Sequence, residues 1–124
     1  IPIARTGETD GFKGVCPFHG DCLEGLASGP AIKARFGVSL DELPQGHPAY
    51  AYQADYLAQL CLTITLAHAP DLIVMGGGVM NCPGLIEQVR AALKVRIGGY
   101  PTSAPVDGNY DKYVVKPGLG DEAG

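Results

Sequence analysis

The chain has 124 residues, of which 46% are hydrophobic and 18% are charged, and its formal net charge is −4. This composition is typical of one globular domain and excludes wholesale disorder. The negative charge, without any run of Lys or Arg, argues against nucleic acid or an anionic membrane as a partner. No apolar stretch approaches the ~20 residues of a membrane span.

Both ends of the sequence interrupt a secondary-structure pattern. Residues 1–5 predict the end of a strand, without an initiator Met or a polar tail before it. Residues 118–124 predict a turn and only the start of a helix, whereas a typical helix runs for about three turns. We therefore interpret the chain as a piece of a larger protein.

The first half of the chain predicts a loop followed by short helices. Gly, Asp, Pro and Cys are dense over 6–22, and helical spacing follows. Gly29-Pro30 divides the helical segment, because Pro lacks an amide donor and restricts the residue before it. This predicts one short helix and a second with Pro30 in its first turn. Ser39 and Glu42 stand at the spacing of a capping box.

The second half predicts an alternation of helices and strands. A long helix is predicted over 48–69, apolar enough on all faces to lie between a sheet and another layer, and Pro70 ends it. The apolar run 71–75 predicts a strand buried on both faces. Helical spacing resumes over 82–98, and 113–116 predicts a further strand, so the order indicates an α/β fold with a mostly parallel sheet. The recurring apolar face of the long helix comprises Tyr52, Tyr56, Leu57, Leu60, Ile64 and Ala67.

Three potential metal ligands stand at steps of three in one loop: Cys16, His19 and Cys22. Zinc binds thiolate and imidazole groups, usually four in a tetrahedron. The alternative is a disulfide in a secreted domain, but nothing marks secretion and the two thiols enclose a His. We expect a structural zinc site whose fourth ligand is distant in sequence. Cys61 and Cys82 are more typical of core thiols.

A Gly-rich turn over 76–80 follows the predicted buried strand and leads into a helix. Glycines let a ligand approach the backbone closely, and amides at a helix N-terminus favour anions. The turn matches neither the Walker motif nor the dinucleotide fingerprint. Two interpretations therefore stay open, a nucleotide site and a turn that needs Gly only for its dihedral angles.

Glu24 follows Cys22 by two residues, so a metal site would fix its position. Its carboxylate is suited to accept hydrogen bonds from the hydroxyls of a small polar ligand. The alternative is a first-turn Glu that is favoured by the helix dipole.

Two strings, CPFHGDCLEGLASGPA over 16–31 and DLIVMGGGVM over 71–80, occur in this order. Together they resemble the sugar kinases of the ROK (repressor, open reading frame, kinase) family. The first is most similar to the zinc-containing fructokinases of bacteria, in which a His replaces one Cys of the zinc loop, as His19 does here. The resemblance covers essentially the whole chain. It implies an actin-like ATPase (ribonuclease H-like) fold of two α/β domains, with 1–124 as the C-terminal part, lacking the last helix.

The resemblance implies ATP-dependent phosphorylation of a hexose, D-fructose by preference, with Mg-ATP and a structural zinc ion. Cys16, His19 and Cys22 would be three of the four zinc ligands. The fourth would be a His immediately before Ile1, and Glu24 would bind sugar hydroxyls. The nucleotide site would be formed by Pro30, near the adenine, and by Gly76, Gly77, Gly78, Val79 and Met80. We expect a cytoplasmic homodimer without a nucleic-acid or membrane partner.

No catalytic residue is assigned to this sequence. The resemblance puts the general-base Asp and the first phosphate-binding loop in an N-terminal half that the sequence does not contain. There the Asp would deprotonate a sugar hydroxyl for attack on the γ-phosphate. One alternative is a sugar-sensing ROK-type transcriptional repressor domain without phosphotransfer. Another is a zinc-stapled structural or interaction domain without a ligand. The His of the zinc loop and the Gly-rich turn favour the kinase.

Overall fold

The structure is a computed structural model. The part of the chain that it describes contains four α-helices and one pair of parallel strands. The described residues are 2–5, 8, 10–44, 46–76, 82–98 and 110–116. The helices are α1 (Leu23–Ala27), α2 (Gly29–Phe36), α3 (Pro48–His68) and α4 (Leu85–Ile97), and the strands are β1 (Ile73–Val74) and β2 (Val114–Val115). Short 3-10 turns occur at Leu40–Glu42 and Tyr110–Lys112. Within these ranges, none of the helices combines the length and apolar character that crossing a bilayer requires.

The helix α2 begins and ends at residues suited to helix termini. Ser28 Oγ accepts a hydrogen bond of 3.2 Å from the amide three residues on, and Pro30 lies in the first turn of α2, as predicted. Gly37 ends α2 with a φ of 84°, a left-handed conformation that favours Gly. The capping box predicted at Ser39 and Glu42 is confirmed, and it starts a 3-10 turn.

The helices α3 and α4 pack along each other and form most of the core. The spacing predicted for α4 is confirmed, because each of the four apolar positions that define it is buried. These positions are Leu85, Val89, Leu93 and Ile97. The long helix was also correctly predicted, since α3 ends at His68, two residues before Pro70.

The predicted apolar face of α3 is not its most buried face. On the predicted face Tyr56 is buried and Ala67 exposed, and the other four residues are half-buried. The deepest stripe consists mainly of small residues: Tyr50, Ala54, Ala58, Cys61 and Thr65. The distance between two helices depends on the side chains at the contact, so small residues permit close packing. A prediction from apolar periodicity favours large side chains. It therefore identified residues beside the most buried stripe of α3 and not the small residues within that stripe.

The strands β1 and β2 are parallel neighbours, with Ile73 opposite Val114 and Val74 opposite Val115. Two backbone hydrogen bonds of 2.7 and 2.8 Å join them. The prediction of parallel pairing is thus confirmed. The prediction that the first strand is buried on both faces is wrong for the described structure, because Ile73 is buried but Val74 is 55% exposed. The core of α3 and α4 covers only the side to which Ile73 belongs.

The strand predicted over 1–5 is not formed in the described residues 2–5. A side-chain amide takes the place of a neighbouring strand. Gln59 on α3 accepts a hydrogen bond from the Ala4 amide and donates one to the Ala4 carbonyl, both of 2.8 Å. A primary amide presents a donor and an acceptor side by side. It therefore satisfies the backbone of Ala4 without a sheet.

Candidate metal centre and its surroundings

Three side chains of the loop before α1 come together. The ligand atoms of Cys16, His19 and Cys22 all lie within 4.8 Å of one another. The Cys16 Sγ atom is 3.7 Å from His19 Nδ1, and both thiols are free rather than joined in a disulfide. Tetrahedral zinc with bonds of about 2.0–2.3 Å holds its ligand atoms roughly 3.5–4 Å apart. The donor set suits one zinc ion, and the 3.7 Å between Cys16 Sγ and His19 Nδ1 matches this spacing.

Backbone contacts give the loop its shape. Cys16 and Gly20 exchange hydrogen bonds of 3.2 and 2.9 Å, which closes a small hairpin. Gly14 has a φ of 83°, and a Cβ there would lie 2.0 Å from the Gly20 carbonyl oxygen, so only Gly fits. The Val15 amide donates to the Gly25 carbonyl at 3.0 Å. The hairpin is thus attached directly to α1.

The thiols of the loop and of the core differ electrostatically. Hydrogen bonds from the backbone amides of His19 and Phe18 lower the pKa of Cys16 to about 7. The thiolate is the metal-binding form, so this pKa favours a ligand. Burial raises the pKa of Cys61 to about 11 and also raises that of Cys82. Both are buried in the core, as the sequence predicts for structural thiols.

A cavity of about 380 Å³ borders two of the three candidate ligands, His19 and Cys22. It lies between the loop and the N-terminal segment, which the pairing of Gln59 with Ala4 holds against α3. Its lining residues include Pro2, Ile3, His19, Asp21 and Cys22. The backbone that follows residue 1 therefore runs next to the candidate ligands.

The other predicted site residues lie outside this cluster. Glu24 is in the first turn of α1 and Pro30 in the first turn of α2, and both are exposed. Gly76 follows β1 and is also exposed. The structure thus leaves these three residues accessible to a ligand. The remaining predicted nucleotide-site residues lie outside the described residues: Gly77, Gly78, Val79 and Met80.

Sequence reasoning missed a buried ion cluster centred on Arg35. This Arg lies in the last turn of α2, and its side chain is 1% exposed. It forms ion pairs with Glu8 at 2.8 Å and with Asp10 at 2.7 Å, and it donates to the Tyr56 hydroxyl at 2.9 Å. The Tyr56 hydroxyl in turn donates to Glu8 at 2.5 Å. These residues follow no common periodic pattern in the sequence. An Arg in a short helix beside an acidic loop was only a weak signal of the cluster.

The charges within the cluster stabilise one another. Burial alone would raise the pKa of Glu8, but hydrogen bonds from Arg5, Tyr56 and Arg35 outweigh it and lower that pKa. The hydrogen bond from Arg35 lowers the pKa of Asp10. Burial and the bond to Glu8 raise the pKa of Tyr56 to about 12. Near neutral pH the cluster therefore holds two carboxylates and a protonated phenol.

A sequence model of the ROK family matches residues 3–124. The chain belongs to the ROK family. The fructokinase of Pediococcus pentosaceus is 41% identical to this ROK chain over 115 residues, which cover 93% of the chain and 38% of that protein. The fructokinase of Zymomonas mobilis is 40% identical over 126 residues, covering 100% of the chain and 40% of that protein. That of Streptococcus mutans is 38% identical over 109 residues, covering 88% and 36%.

The chain thus spans about two fifths of the length of the curated relatives that it matches. ROK proteins belong to the actin-like ATPase superfamily, and the mixed order of helices and parallel strands in this chain agrees with that membership.

Proposed function

We propose that this chain is the C-terminal part of an ATP-dependent sugar kinase that phosphorylates D-fructose to fructose 6-phosphate with Mg-ATP. The observation that carries the proposal is the convergence of Cys16, His19 and Cys22 within a chain that is 38–41% identical to three fructokinases. In this proposal residues 1–124 belong to one domain of a two-domain enzyme, and the enzyme is a homodimer.

The three ligands would hold a structural zinc ion. A closed tetrahedral site stabilises the fold and has no open position for a reacting group. The resemblance assigns the fourth ligand to a His just before Ile1. The cavity between Pro2 and Ile3 on one side and His19 and Cys22 on the other supports that assignment, since a side chain from this direction could reach the metal.

Glu24 would accept hydrogen bonds from the hydroxyl groups of the sugar. It lies in the first turn of α1, two residues after Cys22, and the bond between Val15 and Gly25 ties the metal loop to the same helix. A metal ion in the loop would therefore limit the movement of this exposed carboxylate. An ionised carboxylate accepts strong hydrogen bonds, which suits a polyhydroxylated ligand.

The turn that begins at Gly76 would line the nucleotide site, with Pro30 near the adenine. Gly76 lies at the carboxyl end of β1 and is exposed. In open α/β sheets, ligands bind outside the carboxyl ends of the strands, which supports a site at this position. The general-base Asp would come from outside this sequence, and Mg²⁺ bound with ATP would neutralise charge on the phosphates.

The test is a phosphorylation assay on the natural full-length protein with fructose, mannose and glucose, together with its zinc content. We expect ATP-dependent phosphorylation, the highest kcat/KM for fructose and one zinc ion per chain. Sugar binding without phosphorylation, accompanied by binding to DNA, would contradict the kinase and favour the repressor. A folded protein that binds neither sugar nor ADP would favour a structural role.

A further inference from the structure

Two carboxylates, those of Glu8 and Asp10, attach one segment of the chain to α2. This incoming segment leads into the metal loop that holds Cys16, His19 and Cys22. Glu8 and Asp10 both pair with Arg35, and the Asp10 pair is bidentate, with Nε and Nη2 at 2.7 and 3.0 Å from the two carboxylate oxygens. A bidentate pair fixes orientation as well as distance. The side chains of Arg35 and Glu8 are almost fully buried, so solvent competes little for the bond between them, whereas Asp10 is 40% exposed. The incoming segment therefore has one preferred position against α2.

Aromatic rings strengthen the same attachment. The Cζ atom of Arg35 lies 5.3 Å from the ring centre of Phe12, 5.2 Å from that of Phe36 and 4.9 Å from that of Tyr52. Guanidinium groups at such distances are attracted to ring faces. Phe12 belongs to the incoming segment, and Arg5 donates to its carbonyl oxygen at 2.6 Å. The backbone at Phe12 is thus held on two sides.

The path from Phe12 to Cys16 is held near each of its ends. It passes through Gly14, which has a positive φ and no side chain. Beyond that, the Val15 amide bonds to α1. The direction from which the backbone reaches Cys16 therefore depends on the contacts with Arg35 at one end and on the attachment to α1 at the other.

We propose that Arg35 is a positioning residue for the metal loop. It clamps Glu8, Asp10 and Phe12 and so sets the separation between Cys16 and the other two ligands. The proposal rests on the metal site put forward above. Arg35 acts through this segment and not as a ligand, so its loss should weaken metal binding while all three ligands remain.

The test compares R35Q with R96Q in the natural full-length protein. Arg96 is a matched control, because it makes a bidentate pair with Asp55 of 2.6 and 2.7 Å that joins α4 to α3. We expect R35Q to release zinc to a chelator about tenfold faster than the wild type, the size of effect seen when groups that orient metal ligands are removed. The thiolate-to-metal absorption of the cobalt-substituted protein should also change. R96Q should leave both the rate and the spectrum unchanged.

Two milder variants keep the proposal testable if R35Q does not fold. R35K keeps the positive charge but loses the planar guanidinium group that makes bidentate pairs. Its rate of zinc release should therefore lie between those of the wild type and R35Q. D10N weakens only the more exposed of the two pairs and should show the smallest change. Equal release from R96Q and from the Arg35 and Asp10 variants would overturn the proposal.

A wild-type protein without any zinc would contradict the proposed metal site instead. The clamp would then be judged by amide hydrogen exchange over residues 12–16. R35Q should accelerate that exchange and R96Q should not, and equal exchange in the two variants would overturn the clamp.

Discussion

The helix pair α3–α4 and the metal-loop region, residues 2–5, 8 and 10–22, are held together by different forces. In the helix pair, buried apolar side chains such as Leu85 and Leu93 are removed from water along two regular surfaces. In the loop region, polar contacts dominate: Gln59 pairs with the backbone of Ala4, and Arg35 joins two carboxylates. The helix pair therefore depends on side-chain volume, whereas the loop region depends on hydrogen-bond geometry.

This difference has consequences for function. Apolar packing tolerates exchanges between hydrophobic side chains of similar volume better than changes in size. A buried polar cluster tolerates neither, because each lost partner leaves another group without its bond. The candidate ligands lie in the region of the second kind. Substitutions there should change metal and ligand binding with little effect on the helices, and core substitutions should do the reverse.

The largest difference between the responses of the two regions is expected from Cys16→Ser or Cys22→Ser. Each removes a thiolate ligand, so the bound zinc should be lost and the loop that carries Glu24 should become less stable, while the helix content remains. Cys61→Ser is the control, since it changes a buried core thiol and should leave the zinc in place. Elemental analysis and circular dichroism check both results. One zinc per chain in Cys16→Ser would contradict the ligand assignment.

The converse change is Leu93→Ala on α4. Leu93 is fully buried, so its truncation should lower the free energy of unfolding by about 2–5 kcal/mol. The zinc content of the folded protein should stay the same. Val95→Ala on the same helix is the matched control, because Val95 is 79% exposed and its truncation should change stability little. Urea unfolding measures both variants, and a large loss of zinc in folded Leu93→Ala would show that the two regions are not independent.

The same contrast explains what the sequence predicts well. The spacing of Leu85 and Val89 repeats within one helix turn, so the pattern itself identifies α4 and its buried face. The metal ligands lie within seven residues, so their convergence was also predictable. The remaining contacts join residues far apart, such as Gln59 with Ala4 and Tyr56 with Glu8, and local patterns contain no information about such pairs. Val74 illustrates a further reason why a prediction from sequence fails. The exposure of a strand face depends on what covers it, and the strand's own residues do not determine that.

The next prediction tests the proposed sugar site through Glu24→Ala. A hydrogen bond to a charged group contributes about 1.5–3 kcal/mol, which corresponds to roughly a 10- to 100-fold weaker affinity for the sugar when it is lost. The KM for ATP should change little. Glu87→Ala is the control, because Glu87 is likewise an exposed first-turn Glu, on α4. Equal losses for sugar and ATP in Glu24→Ala, or equal losses in the two variants, would mean that Glu24 only stabilises its helix.

The smallest expected effect is that of Tyr56→Phe, which removes one hydroxyl from the Arg35 cluster. The loss should cost about 1–2 kcal/mol at neutral pH, since Glu8 and Arg35 each lose a partner. The pKa of Glu8 is below its ordinary value in the folded protein, so its contribution to stability is present above the unfolded pKa and is lost as the pH falls through the folded pKa. Without the hydroxyl that folded pKa moves up toward the ordinary value, and the pH-dependent part of the stability shrinks.

The control for Tyr56→Phe is Tyr50→Phe, which removes a buried hydroxyl that donates to the Leu40 carbonyl at 3.1 Å rather than to a carboxylate. It should lower stability by a similar amount at every pH. Urea unfolding from neutral pH down into the acid range therefore distinguishes the two variants. Parallel stability curves for both would mean that the Tyr56 hydroxyl acts only as a neutral hydrogen bond. A flatter acid limb for Tyr56→Phe would show that polar pairing with Glu8 stabilises the segment leading to the metal loop.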